Sequence, residues 1–158
     1  MMDSKNSLTT PSPRIPKWLA PAIIIVSAIG LLDSAYLAMK YYLGEPVTCS
    51  LFWGCEAVTT SQYAAVGHVP TALFGVLFYL GTFLLGILYY ETKKEIYLRQ
   101  FSYLSAIGFL VSLGLLWLEL FVIRAICVYC SISTLASTIL FICGVFSLRN
   151  TSSARNSP

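Results

Sequence analysis

Residues 101–148 read FSYLSAIGFLVSLGLLWLELFVI, then RAI, then CVYCSISTLASTILFICGVFSL. Two apolar runs, Phe101 to Ile123 and Cys127 to Leu148, are thus separated by a very short connector. A helix of about 20 residues crosses a hydrocarbon core of about 30 Å, and each run is long enough to do so. The stretch therefore predicts a hairpin of two membrane-spanning helices.

Two further apolar runs lie upstream, from Trp18 to Tyr42 and from Pro70 to Tyr90. None of the four runs alternates with period two, and a lipid-exposed segment must satisfy its own backbone hydrogen bonds, so helices are favoured over a barrel. The chain is 57% hydrophobic and 11% charged, which exceeds the apolar content of soluble domains. We expect an all-α integral membrane protein, a bundle of four transmembrane helices.

The basic residues indicate the topology. Eight of the ten fall in the N-terminal tail, the second connector and the C-terminal tail: Lys5, Arg14, Lys17, Lys93, Lys94, Arg99, Arg149 and Arg155. The other side has only Lys40 and Arg124. The positive-inside rule then predicts that both termini are cytoplasmic. No dense basic face is present, so we expect no nucleic-acid partner.

The chain divides into three parts by composition. Residues 1–17 form a polar cytoplasmic tail, residues 18–148 form the four-helix membrane domain, and residues 149–158 form a polar tail that we expect to be disordered. Within the membrane domain, residues 43–69 form a long outer loop between the first and second helices. It is longer than a helix hairpin requires, and long connectors usually carry function.

Four of the five cysteines lie in or beside the two outer connectors. Cys127 and Cys130 are one turn apart at a helix start, where the partial positive charge of the helix terminus favours a thiolate. Cys49 and Cys55 enclose a small loop that contains Gly54. Disulfides persist on the outer side of a membrane, so this placement favours redox exchange between the two pairs.

Two other interpretations of the cysteines remain open. The chain could be a non-catalytic membrane scaffold with structural disulfides, and four cysteines allow three pairings that the sequence does not separate. Alternatively, the four thiolates could form a tetrahedral metal site. Outer thiols oxidise readily, which weakens the metal interpretation, and we expect no metal.

An ordered set of motifs resembles the vitamin K epoxide reductase family from about Ile24 to Cys143. The motifs are the run from Gly30 to Leu37, Cys49-x5-Cys55, Ser61, Val69-Pro70, Phe74-Gly75 and Cys127-x2-Cys130. Another family of four-span thiol oxidases, of the DsbB kind, has its two cysteine pairs in the reverse order. The order in this chain disfavours that family.

The resemblance implies a catalytic relay. Cys127 and Cys130 correspond to the pair next to the quinone, and Cys49 and Cys55 to the loop pair that relays electrons. The electron acceptor is expected to be ubiquinone or menaquinone, without a metal or a flavin. The electron donor is expected to be a separate thioredoxin-like (DsbA-like) protein on the outer face, because no such segment follows the fourth span. These features are typical of a bacterial inner-membrane protein with a periplasmic active site.

A quinone pocket is expected inside the bundle, lined by Ser61, Thr71, Phe74 and Thr134. Vertebrate members that reduce the vitamin K epoxide have Asn and Tyr where this chain has Thr71 and Thr134, so we do not expect epoxide reduction.

Two ionisable residues, Asp33 and Glu119, fall inside the predicted spans. Such residues are costly in a membrane and are candidates for function, for example proton delivery to a reduced quinone. Alternatively, each is a hydrogen-bonded structural carboxyl group.

Overall fold

The computed structural model describes residues 16–45, 47, 65–66 and 69–155. Its elements are α1 (Leu19–Leu43), β1 (Ala65–Val66), β2 (Val69–Pro70), α2 (Thr71–Thr92), α3 (Glu95–Trp117), a π-helical turn (Leu118–Ile123) that continues α3, and α4 (Val128–Arg155). Within these described residues, four helical segments are long and apolar enough to cross a membrane, which confirms the predicted four-helix membrane fold. Most of the long loop, with Cys49, Cys55 and Ser61, lies outside the described residues.

The four helices pack in a ring in which each contacts the next and α4 contacts α1. Gly30 on α1 faces Tyr79 on α2, and Ser34 on α1 faces Gly75 on α2. As the residue number rises along α1 it falls along α2, so the two helices are antiparallel. Small residues allow this close approach, as they do between membrane helices generally.

Hydroxyl groups join α3 to α4. Ser102 donates to the carbonyl oxygen of Gly144 at 2.9 Å, and the hydroxyl of Ser137 donates to that of Ser112, also at 2.9 Å. Gly144 lets α4 approach, because a Cβ atom there would lie 2.6 Å from the hydroxyl oxygen of Ser105. Interhelical hydrogen bonds of this kind each stabilise a membrane bundle modestly.

The apolar core lies toward one end of the bundle, and the cysteine pair lies toward the other. The core consists of Leu19, Ile23, Tyr79, Leu98, Phe101, Ala136, Leu140 and Cys143. Cys143 is therefore a packing residue. By contrast, large apolar side chains such as Leu32, Leu110 and Phe121 are mostly exposed on the outside of the helices. This exposure is what a surface in contact with lipid requires.

The other end of the bundle, which we call the dithiol end, is where α1 and α3 finish and where α2 and α4 begin. Gly44 follows α1 with φ of 66°, a left-handed conformation in which glycine carries no steric penalty. Beside it, Lys40 and Glu45 form an ion pair at 2.5 Å. The antiparallel β1–β2 ribbon, in which Val66 pairs with Val69, leads into α2 at this end.

Helices α2 and α3 extend further than their apolar runs predicted. Only Lys93 and Lys94 separate them, whereas the apolar runs ended at Tyr90 and resumed at Phe101. The intervening Glu, Lys and Arg residues are good helix formers, so each helix continues past the membrane-spanning part. Lys93 ends α2 in a left-handed conformation, and its N–H bonds to the carbonyl oxygen of Tyr89 at 2.9 Å.

The C-terminal tail differs from the prediction in the same way. We expected residues 149–158 to be disordered, but α4 continues to Arg155. The polar composition of these residues means that they cannot form a buried core. Extending a helix that has already formed nevertheless costs little free energy per residue, because each added residue makes one further hydrogen bond. The helix thus covers residues 149–155 of this tail, and residues 156–158 lie outside the described part.

Candidate functional site

Cys127 is the N-cap residue of α4. Its carbonyl oxygen accepts the N–H of Ser131 at 3.0 Å and the hydroxyl of the same residue at 2.9 Å. Its sulfur accepts the N–H groups of Tyr129 and Cys130, which belong to the first turn. Helix N-caps satisfy free backbone donors in this way, and here a cysteine sulfur takes the role that a Ser or Asp oxygen usually has.

The two cysteines of the motif are in direct contact. Both are free thiols, and the thiol of Cys130 donates a hydrogen bond to the sulfur of Cys127. This hydrogen bond, together with those from the N–H groups of Cys130 and Tyr129, holds the pKa of the Cys127 thiol below its usual range. Burial and the charge of Glu119 oppose the shift. The arrangement favours a thiolate at Cys127 with the remaining proton on Cys130.

A small apolar cluster covers the dithiol. Cys127 is completely buried and packs with Val47, a residue of the loop that follows α1. The rings of Tyr36 and Tyr129 contact each other beside the pair, with centroids 5.2 Å apart. Cys130, one turn deeper, is partly exposed. Among the described residues, Val47 and the two tyrosines therefore enclose Cys127, whereas part of the Cys130 residue stays exposed.

Glu119 approaches the dithiol from α3. Its side chain is 3% exposed, and its carboxylate accepts the N–H of Cys127. The carbonyl oxygen of the same residue accepts the N–H groups of Arg124 and Ala125. One residue thus fixes the whole turn from α3 to α4.

Further polar groups lie beneath the dithiol. The hydroxyl of Tyr79 donates to the carbonyl oxygen of Ser133 at 2.6 Å, one turn below Cys130. On α1, the Oδ2 atom of Asp33 is buried and has no hydrogen-bond partner in the described part of the chain. Asp33 lies within electrostatic range of Cys130, Tyr129 and Tyr79. An unpaired buried carboxyl oxygen is costly unless a ligand or water satisfies it.

The predicted pocket residues are placed as follows. Thr134 lies one turn after Cys130, and its hydroxyl donates to the carbonyl oxygen of Cys130 at 2.9 Å. Thr71 is the first residue of α2, and Phe74, one turn later, is 52% exposed. All three are near the dithiol end. Ser61 and the loop pair Cys49 and Cys55 lie outside the described residues.

The sequence did not single out Tyr79 or Ser133. Each is an isolated polar residue in an apolar run, and such residues in membrane spans commonly bond across helices, but the pattern does not identify the partner. Asp33 and Glu119 were recognised as ionisable residues inside spans. Their relation to the dithiol depends on helix rotation, which the apolar runs do not determine.

The architecture defines a class of protein: a bundle of four membrane-crossing helices that carries a hydrogen-bonded pair of free thiols where the fourth helix begins. The chain matches the model of the Vitamin K epoxide reductase family over residues 21–145, and it belongs to this family. The resemblance noted in the sequence is thereby confirmed. None of the curated proteins compared matches the chain.

Membership establishes the general activity. The family comprises membrane oxidoreductases that link thiols to a quinone and work with thioredoxin-like partners. This chain is therefore an integral membrane thiol oxidoreductase.

Proposed function

We propose that this protein oxidises a thioredoxin-like protein on a separate chain and passes the electrons to ubiquinone or menaquinone, so that it supports disulfide-bond formation. The observation that carries the proposal is the hydrogen-bonded pair Cys127 and Cys130 at the first turn of α4. A thiolate that caps a helix is the reactive form for thiol exchange. The second pair, Cys49 and Cys55, supplies the relay from the partner.

The relay consists of balanced exchange steps. A thiolate of the reduced partner attacks Cys49 of the loop disulfide, and Cys55 leaves as a thiolate. The second partner thiol then resolves the mixed disulfide, so the partner becomes oxidised and the loop pair reduced. Cys55 next attacks Cys127 of the Cys127–Cys130 disulfide, and Cys130 leaves. Cys49 resolves that intermediate, and both thiols of the α4 pair are then reduced.

The hydrogen bonds on Cys127 assist this exchange. A good leaving sulfur is one whose thiolate is stabilised, and the sulfur of Cys127 accepts three hydrogen bonds in the reduced pair. Cys130 lies deeper in the helix and is partly exposed, so it is our candidate for contact with the quinone. The two residues thus have different roles.

The residues below the dithiol fit a quinone. Its headgroup supplies a two-electron acceptor whose oxygens require hydrogen-bond donors, and after reduction they become hydroxyl donors. The Oδ2 atom of Asp33, which has no partner among the described residues, can accept such a hydroxyl, and the Tyr79 phenol lies within electrostatic range of Asp33. Thr71, Phe74, Thr134 and Ser61 are proposed to line the remainder. Apolar walls with a few polar points are typical of cofactor pockets.

We also propose the orientation. Both termini lie in the cytoplasm, and the dithiol end faces the periplasm of a bacterial inner membrane. The distribution of basic residues supports this topology. Labelling of single introduced cysteines with a membrane-impermeant maleimide in intact cells tests it: residues near Gly44 should react, and residues near Lys93 should not.

Complementation tests the activity. Bacteria that lack their own quinone-linked thiol oxidase should regain periplasmic disulfide formation with the wild-type chain, and lose it with Cys49, Cys55, Cys127 or Cys130 changed to Ala. Cys143→Ala is the matched control, because Cys143 lies in the apolar core, and it should restore function. Full rescue by all four variants would overturn the proposal.

A purified assay separates the alternatives. Protein in lipid vesicles with a reduced thioredoxin-like substrate should convert quinone to quinol, measured by absorbance, and Cys130→Ser should abolish this. A scaffold with structural disulfides would instead lose thermal stability and keep any oxidation unchanged. A thiolate metal site would bind one equivalent of Zn²⁺, and changing any of the four cysteines would weaken that binding.

A further inference from the structure

Glu119 occupies a position that the relay described above does not use. Its carboxylate receives the N–H of Cys127, while its carbonyl oxygen receives the N–H groups of Arg124 and Ala125. The π-helical turn from Leu118 to Ile123 and the left-handed conformation of Arg124, with φ of 55°, end α3 at this point. Single π-helical turns are rare in proteins overall, and those that occur are often found at functional sites.

Two groups that can each carry a negative charge therefore share the start of α4. The N–H groups of Tyr129 and Cys130 point to the sulfur of Cys127, and the N–H of Cys127 points to Glu119. A helix N-terminus stabilises an anion, and a hydrogen bond to a carboxylate favours its charged form. Like charges at close range oppose each other, so a carboxylate at Glu119 disfavours the thiolate at Cys127.

We propose that Glu119 is a positioning residue that holds Cys127 at the start of α4 and, through its negative charge, makes the Cys127–Cys130 pair a stronger reductant. The inference rests on the proposed function, because a stronger reductant matters only if the pair delivers electrons to an acceptor.

The charge of Glu119 changes the reduction potential of the Cys127–Cys130 pair because it acts on the reduced form and not on the disulfide. The reduced pair carries the thiolate, and the disulfide carries no charge. A neighbouring carboxylate therefore destabilises the reduced form, whereas proteins that stabilise their thiolate are strong oxidants. When the pair is oxidised, the Cys127 thiolate and the Cys130 thiol lose two electrons and one proton and form one disulfide bond; the quinone acceptor takes the two electrons and that proton, and its second proton comes from water. Glu119 favours this direction.

The test uses full-length protein in detergent, without quinone or partner. Glu119→Gln keeps an oxygen that accepts the N–H of Cys127 but removes the charge. Glu119→Asp keeps the charge on a shorter side chain. Glu91→Gln is the control, because Glu91 is exposed at the opposite end of the bundle. Each variant is equilibrated with glutathione buffers, and the state of the Cys127–Cys130 pair is read by mass spectrometry of alkylated peptides.

Glu119→Gln should shift the equilibrium at least tenfold toward the reduced pair, which corresponds to a potential about 30 mV more positive. The pH midpoint for reaction of Cys127 with a small thiosulfonate should move downward in the same variant. Glu119→Asp and Glu91→Gln should remain close to the wild type in both measurements.

The pH readout involves several neighbouring groups. The titratable side chains around the pair come from all four helices: Asp33 and Tyr36 from α1, Tyr79 from α2, Glu119 from α3, and Tyr129 from α4. Only Glu119 changes in these variants, so a shift that appears in Glu119→Gln and not in Glu119→Asp reports its charge.

Two results would overturn the inference. If the wild type and Glu119→Gln had equal reduction potentials, Glu119 would only cap the start of α4 and would not influence the redox equilibrium. A shift in Glu119→Asp as large as that in Glu119→Gln would show that geometry, not charge, sets the potential. Neither outcome depends on quinone reduction. The inference about Glu119 can therefore fail while complementation succeeds, and it can hold while complementation fails.

Discussion

The hydroxyl of Tyr79 donates a hydrogen bond to the carbonyl oxygen of Ser133 at 2.6 Å and lies 2.9 Å from the hydroxyl oxygen of the same residue. Tyr79 is on α2 and Ser133 is on α4, and these helices are opposite each other in the ring. The bond crosses the bundle because Gly30 on α1 leaves space for the Tyr79 ring. The bond therefore holds α4 against α2 at Ser133, one helical turn below Cys130.

Tyr79→Phe should destabilise the bundle by about 1 kcal/mol, because it removes one buried hydrogen bond and keeps the ring. Unfolding in a series of detergent mixtures, followed by circular dichroism, measures the change. Tyr103→Phe is the control, since the Tyr103 side chain is 56% exposed, and it should unfold as the wild type does. Equal stability of both variants would show that the cross-bundle bond contributes nothing.

Gly30→Ala should cost about 1–3 kcal/mol, because overpacking forces neighbouring side chains or backbone to move. The new Cβ would lie 2.3 Å from the Tyr79 ring. Gly114→Ala is the matched control: it adds the same methyl group in a helix where nothing lies within 4 Å. Higher helix propensity should stabilise that variant by about 1 kcal/mol or leave it unchanged. The same unfolding assay distinguishes the two, and equal effects would contradict the packing described here.

Gly144→Ala should destabilise more than Ser102→Ala. The alanine Cβ at position 144 would lie 3.2 Å from the backbone Cα of Ser102 and 2.6 Å from the hydroxyl oxygen of Ser105, so α3 and α4 must separate. Ser102→Ala removes only one interhelical hydrogen bond, which in membranes contributes about 0.6 kcal/mol. If the order of the two effects were reversed in the unfolding assay, the close approach of α3 and α4 would be wrong.

The reaction of Cys127 with a small thiosulfonate should have a pH midpoint below the ordinary thiol value of about 8.5. The thiolate is the reactive form, and the hydrogen bond from the Cys130 thiol lowers the pKa of Cys127. Cys130→Ala removes this donor and should move the midpoint upward. Cys143→Ala should leave it where it is. Peptide-resolved mass spectrometry follows each site, and a midpoint unaffected by Cys130→Ala would contradict the contact between the two sulfurs.

The same pKa shift predicts a dependence of stability on pH. The pKa of Cys127 is lower in the folded reduced protein than in the unfolded chain. Its contribution to stability is therefore fully present above the unfolded pKa and is lost as the pH falls through the folded pKa. Unfolding of the reduced wild type should show this loss, and Cys127→Ala should not. Identical pH profiles would be inconsistent with a stabilised thiolate.

Several features of this protein follow from the sequence alone. Apolar runs of the length of a bilayer predict helices, because a lipid-exposed backbone has no other way to satisfy its hydrogen bonds. The ordered motifs, ending in Cys127-x2-Cys130, identified the family, and the family match confirms it. The limits of the apolar runs at Tyr90, Phe101 and Leu148 do not mark the helix ends, because a helix continues through charged residues that the membrane excludes.

Only the tertiary structure decided what surrounds the dithiol. Nothing in the run from Phe101 to Ile123 shows that its last turn is π-helical, or that Glu119 reaches the N–H of Cys127. The sequence around Tyr79 also does not identify Ser133 as its hydrogen-bond partner on the opposite helix. Hydrophobicity specifies that a segment lies in the membrane, because lipid contact depends on composition. It does not specify how each helix is rotated, because rotation depends on which small residues meet, and that is determined by packing.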